Sequence, residues 1–115
     1  DMSGLFKNIP KEAALRLCDL VSAEDGQITS RTLAQNDAVS VTLFAFSAGE
    51  EIGTHDSKGD AMATVLEGTG RYVVGGNEYM LSQGETLIMP ANVPHSVHAP
   101  GPFKMLLTVV FPIEK

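Results

Sequence analysis

Two stretches decide the reading of this chain: Gly49 to Gly68, GEEIGTHDSKGDAMATVLEG, and Gly84 to His95, GETLIMPANVPH. Each opens on a glycine turn, runs an apolar strand and delivers one histidine, His55 or His95. Two histidines far apart in sequence can meet if their strands belong to one closed barrel, because inward side chains converge on a common interior. That meeting point is the expected functional site.

The flanking sequence has the period of strands. Ile28, Ser30 and Thr32 alternate with Thr29, Arg31 and Leu33, Asn36-Asp37 interrupts, and Val39 to Phe46 resumes the alternation. Both faces of that second run turn apolar toward Phe44 and Phe46, so one face must meet something other than water. A subunit interface, and hence a homodimer, is the expectation. Ala61 to Leu66 is a further strand. Arg71–Val74 and Glu78–Leu81 flank Gly75-Gly76-Asn77, a hairpin signal, and Glu85 to Met89 follows the turn at Gln83-Gly84. Pro90 and Pro94 confine the next stretch to a loop or edge and fix the approach to His95, and Lys104 to Phe111 is a last, strongly apolar strand. Ahead of all these, KEAALRLCDLV after Pro10 sets Ala14, Leu17, Cys18 and Val21 at helical spacing. It reads as a short helix, with an extended arm along a sheet edge as the alternative. Eight or more short strands with glycine and proline punctuation predict an all-β sandwich or barrel.

The 115 residues suit one domain, 1–115, with a barrel over about 27–111 and an N-terminal extension over 1–26. An apolar fraction of 43% against 19% charged is that of a globular protein and excludes a disordered one. The formal net charge of −6 argues against nucleic acid or anionic membrane as partner. No apolar run approaches the ~20 residues that span a bilayer, and DMSGLFKNIP lacks the apolar core of a signal peptide. With a single cysteine, Cys18, read as a gap filler, a reducing cytoplasmic setting is expected. No G-x-S-x-G elbow, phosphate-binding glycine loop or C-x-x-C pair is present, so nucleophilic serine or cysteine chemistry has no support.

The glycine, proline and histidine spacings resemble the two short motifs of the cupin superfamily. Gly49, His55 and Gly68 stand in register with the first motif, and Gly84, Pro90 and His95 with the second. The resemblance covers roughly residues 40 to 111 and implies a double-stranded β-helix, the jelly-roll barrel. Four positions depart from the pattern. The first motif's second histidine falls on Ser57 and its glutamate on Ala61, while the second motif's inner glycine falls on Asn92 and its last asparagine on Ala99. Metal-binding cupins usually take three histidines and one glutamate from these motifs, and this chain keeps two of the four.

Two neutral imidazoles, His55 and His95, with a carboxylate and open water positions, would suit a divalent metal such as iron, manganese, nickel or zinc. The candidate extra donors are Asp60, after the flexible corner Lys58-Gly59, and Ser57, which alternation places on His55's face. Asp56 should point the other way, and so should His98, three residues past His95. Without metal, His55, Ser57, Met62, Met89 and His95 would line a pocket for an organic ligand. Tyr72 and Tyr79 flank the hairpin and are expected to pair across it. The expected function is binding of a small molecule, with weak or optional divalent metal. The alternative implied by the resemblance is a metal-dependent dioxygenase or isomerase acting on a small organic substrate, so catalysis stays open.

Overall fold

The computed structural model describes residues 3–113. Among them nine strands form two antiparallel sheets: β1 (Ile28–Gln35), β2 (Val39–Phe46), β3 (Glu51–His55), β4 (Asp60–Glu67), β5 (Thr69–Val74), β6 (Asn77–Ser82), β7 (Thr86–Met89), β8 (His95–His98) and β9 (Phe103–Val110). The larger sheet runs β1-β2-β9-β4-β7 and the smaller β3-β8-β5-β6. They face each other as the two walls of a jelly roll, the all-β barrel that the sequence predicts.

Alternation along the strands sorts the core. On the larger sheet Phe46, Ala61, Ala63, Val65, Met89, Phe103 and Met105 point inward, and Tyr72, Val74, Leu81 and Val97 meet them from the smaller sheet. Phe46 and Phe103 stack with ring centroids 4.6 Å apart, and Tyr72 meets Phe103 edge-on at 6.4 Å. These rings plug one end of the barrel. Gly68 is required beside them: its φ is +75°, and a Cβ there would come within 2.4 Å of the Pro102 carbonyl oxygen. The hairpin forms as expected, with a two-residue turn at Gly75-Gly76 and Tyr72 opposite Tyr79 in register.

Phe44 and Phe46 belong to the inner face, Phe46 at 2% exposure and Phe44 packed against the same cluster. The apolar outer face of β2 is instead Leu43 and Ala45, buried with Leu33 and Val21 beneath the N-terminal segment. The interface inference drawn from the two phenylalanines is therefore corrected: they are core.

The front of the chain is an extended arm rather than a helix, with one 3₁₀ turn at Leu17–Leu20. An isolated helix of about eleven residues is marginal in water, and its propensity gain is tenths of a kcal/mol per residue. Burying an aliphatic side chain gives about 1.5 to 3 kcal/mol. Extended, the arm sets Ile9, Leu17, Leu20, Val21 and Ala23 on the outer face. Its polar groups find partners on the way: the Lys7 amide donates to the Leu33 carbonyl at 2.8 Å, the Asn8 side chain to the Thr32 carbonyl at 2.9 Å, and Lys104 to the Cys18 carbonyl at 2.7 Å. A bulge in β1 between Thr32 and Ala34 buries both Leu33 and Ala34 at this contact.

Two predictions follow from strain and burial in this framework. Asn92 has φ +64°, the left-handed region that asparagine tolerates and β-branched residues do not. Asn92→Gly should hold or raise the urea midpoint, and Asn92→Val should lower stability by about 1–2 kcal/mol. Burial pushes the Tyr72 hydroxyl pKa above its ordinary range. Above pH ~10 the unfolded chain then loses a proton that the folded chain keeps, so stability falls as pH rises there. Urea titrations between pH 9 and pH 11.5 should show a steeper alkaline loss in the wild type than in Tyr72→Phe, by up to ~1.4 kcal/mol per pH unit.

Candidate functional site

β3 and β8 pair antiparallel, and their register sets His55 directly opposite His95. Val97 and Ile52 pair two and three positions further along and point into the core, so both histidines share the inner face. Their ring centroids lie 4.4 Å apart with planes at 66°. His95 is 4% exposed while His55 is open to solvent, so the pair forms a step from the interior to the barrel mouth. Forty positions of chain separate two rings that pack edge to face.

The backbone orients both rings in the same way. His55 Nδ1 lies 2.9 Å from the Gly53 carbonyl oxygen, and His95 Nδ1 lies 3.1 Å from the Val93 carbonyl oxygen. A carbonyl oxygen only accepts, so each Nδ1 carries the proton, and each neutral ring keeps its lone pair on Nε2. The site thus offers two acceptor nitrogens. Gly53 contributes its carbonyl from the irregular part of β3, where the register shifts between Ile52 and His55. A glycine inside a strand pattern was the only sequence signal of that irregularity.

The remaining candidates lie elsewhere. β3 ends at His55, so alternation does not carry on to Ser57; its Oγ accepts from the Gly59 amide at 3.1 Å, and its carbonyl accepts from the Asn92 amide at 2.7 Å. Asp60 belongs to the outward set of β4, because its neighbour Ala61 is buried inward. Its carboxylate accepts from the Ala91 amide at 2.8 Å. These bonds tie the β3–β4 loop to the β7–β8 loop and form the rim beside the histidines. Met62, expected at the pocket, instead lies on the outer face at 37% exposure, for the same reason of alternation. Met89 does face inward, opposite Ala61, and is 1% exposed. His98 lies on the far side of the small sheet, in register with Glu51 and Arg71, and Asp56 is exposed beyond the strand end. A separate cleft of about 720 Å³ runs between residues 35–38, Lys58 and residues 111–113, and contains neither histidine.

The two imidazoles do not fit a resident metal of the family's four-ligand kind. The carboxylate position is the buried methyl of Ala61, and Ser57 already bonds within its own loop. Among the described residues no group of three histidine, cysteine, aspartate or glutamate side chains could hold a metal ion. Nor, among them, is any helix long and apolar enough to cross a membrane.

Comparison with known proteins agrees with the fold. The chain is similar to a conserved protein of unknown function from Streptococcus pyogenes, at 36% identity over 99% of this chain and 100% of that one, with TM-score 0.92. It is similar to a cupin superfamily protein from Desulfitobacterium hafniense, at 32% identity over 93% of this chain and 98% of that one, with TM-score 0.89. A salicylate 1,2-dioxygenase from Pseudaminobacter salicylatoxidans shares the fold alone: 21% identity over 72% of this chain and 26% of that one, with TM-score 0.67. No curated protein matches the chain. The cupin domain family matches residues 42–111, and with the paired motif strands and both sheets in place, the chain belongs to the cupin superfamily.

Proposed function

We propose that the chain binds a small molecule at the open end of its barrel, held by His55 and His95. One observation carries this reading: each imidazole turns Nδ1 to a backbone carbonyl, so that in the neutral rings Nε2 is the acceptor, and the two rings pack together at a solvent-reachable mouth. A pair of lone pairs is complementary to hydrogen-bond donors, so a hydroxyl-bearing or ammonium-bearing guest matches it and a carboxylate does not. The buried Ala61, Val74, Met89 and Val97 supply an apolar floor, the usual lining of such sites. A divalent metal would have only the two Nε2 atoms, one fewer than the three protein ligands of catalytic zinc sites. Metal binding is accordingly weak and optional in this proposal, and the cytoplasm remains the proposed setting.

The second reading, a metal-dependent dioxygenase or isomerase, draws on the family and on the shared fold of the salicylate dioxygenase. Elemental analysis of untagged protein separates the two. We expect well below one equivalent of iron, manganese, nickel or zinc after dialysis. About one equivalent, lost in His55→Ala and in His95→Ala, would establish the enzyme reading in its place.

Binding itself is tested by amide chemical shifts against a panel of small phenols, alcohols, amines and carboxylates. Donor-bearing compounds should perturb the amides of His55, Val74 and His95, and the perturbation should vanish in His55→Ala/His95→Ala. Equal perturbation in that double variant would remove the site. A restored ligand set provides a further check. Ser57→His/Ala61→Glu should gain at least about tenfold in zinc affinity, while losing about 2–4 kcal/mol of stability without metal, because it buries an unpaired carboxylate.

A further inference from the structure

The inner face of the barrel changes character along its length. At the closed end the inward side chains Phe46, Phe103, Met105 and Val65 are at most 2% exposed. Toward the mouth the same alternation continues through Leu107 and Val109 on β9 and through Thr42 and Ser40 on β2, and these four are only partly buried. Thr32 of β1 pairs with Thr42 and is partly buried too. It is turned inward, since its neighbours Thr29 and Arg31 on the other face bond the arm through the Ser22 and Asn8 carbonyls. Inward side chains that keep contact with solvent bound a space that the chain itself does not fill. Among the described residues no hydrogen bond engages the Thr32 or Thr42 hydroxyl, and neither is sealed from solvent.

Register tells what these hydroxyls face. The Tyr72 hydroxyl of β5 donates to the Met105 sulfur of β9 at 3.2 Å, so β5 lies across the barrel from β9 with Tyr72 level with Met105. β6 nears β4 on one flank, which sets β8 across from β2 and β3 across from β1 on the other. On the small sheet Val97 stands beside Tyr72, and His95 beside Val74 is one inward position nearer the mouth. On the larger sheet Phe44 stands beside Met105, and Thr42 beside Leu107 is likewise one inward position nearer the mouth. His95 is thereby level with Thr42, and their strand partners His55 and Thr32 are level with each other.

We propose that Thr32 and Thr42 form a second polar wall of the binding site and select guests that carry a polar group at each end. The proposal rests on the His55–His95 reading and adds the substrate class. Stacked sheets lie ~10 Å apart, and the side chains of both walls fill part of that gap, which leaves room for about one ring or a short chain. In the neutral rings the imidazole wall accepts, while a threonine hydroxyl both donates and accepts. The matching guest therefore has a hydroxyl or ammonium at one end, a hydroxyl or carbonyl at the other, and an apolar middle against Val74 and Leu107. A guest with one polar end displaces water from the second wall without replacing its hydrogen bonds, and so binds less tightly.

Two probes that differ by a single hydroxyl, 4-methylphenol and 4-hydroxybenzyl alcohol, test the second wall by titration of amide chemical shifts. We expect the wild type to bind 4-hydroxybenzyl alcohol more tightly, by about threefold, the effect of one added hydrogen bond. In Thr32→Val/Thr42→Val the order should reverse, because the added hydroxyl then enters a site without a partner for it. Thr32→Ser/Thr42→Ser keeps both hydroxyls and should keep the wild-type order. So should Thr108→Val, the same exchange on the outer face of β9. A wild type that binds the two probes equally or prefers 4-methylphenol would overturn the second wall, and so would an unchanged order in the valine variant. In those cases the His55–His95 reading still stands if 4-methylphenol binding is lost in His55→Ala/His95→Ala. Absence of binding by either probe would overturn both. Should the double valine variant fail to fold, Thr42→Val alone decides by the same comparison.

Discussion

Everything in this barrel depends on the register of β9. Its inward set, Phe103, Met105, Leu107 and Val109, meets the core, and its outward set, Lys104, Leu106, Thr108 and Val110, lies on the outer face, where the arm packs on Leu106. β9 lies between β2 and β4 and is bonded to both along nearly its whole length. A slip of one residue would move Phe103 off Phe46 and drive Lys104 into the barrel. Burying that ammonium without a partner costs several kcal/mol, enough to consume much of a small domain's stability. Fixing β9 fixes β4, and fixing β4 decides that Ala61 faces the interior while Asp60 and Met62 do not.

The site inherits its geometry from the opposite wall. β8 is held between β3 and β5, so His95 is set by two ladders, while His55 sits at the end of an edge strand with one. The difference in exposure follows: the inner ring is buried, and the outer ring is open. Both rings then depend on a carbonyl two residues upstream. That local bond costs no long-range organisation, and it orients both rings without a side chain from elsewhere. In the proposed binding role, preorganisation of this kind lowers the ordering cost of two side chains.

Much of this was legible in the sequence, because the signals were local or periodic. Period two gave the strands, Gly75-Gly76 gave the hairpin, and the spacing from Gly49 to His55 and from Gly84 to His95 gave a common face for the rings. What escaped was long-range or loop-borne. The helical spacing of Leu17 and Val21 was real as a pattern, yet the chain satisfies it by laying an arm over Leu43 and Ala45, and no local propensity reports on a surface that distant. Met62 was assigned to the pocket without a register to say which face β4 turned inward. Asn92 was visible only as a departure from a glycine; its positive φ explains the original requirement and the exception together. Pro90 and Pro94 marked the stretch between β7 and β8 as a loop, which it is; β8, beginning at His95, carried no signal of its own and lies in the interior of the small sheet.

The rim beside the two imidazoles is tied to the start of β4 through Asp60. That residue begins β4 on the outward side, beside Val110, and its carboxylate holds the Ala91 amide of the β7–β8 loop. One position further on, the Asn92 amide bonds the Ser57 carbonyl of the loop that follows His55. The rim beside the two imidazoles is therefore anchored to the start of β4. β3 has a ladder on one side only, with β8, and it continues into the loop that these two bonds tie down. The placement of His55 thus draws on a carboxylate on the outside of the barrel as well as on the strand pairing that sets it opposite His95.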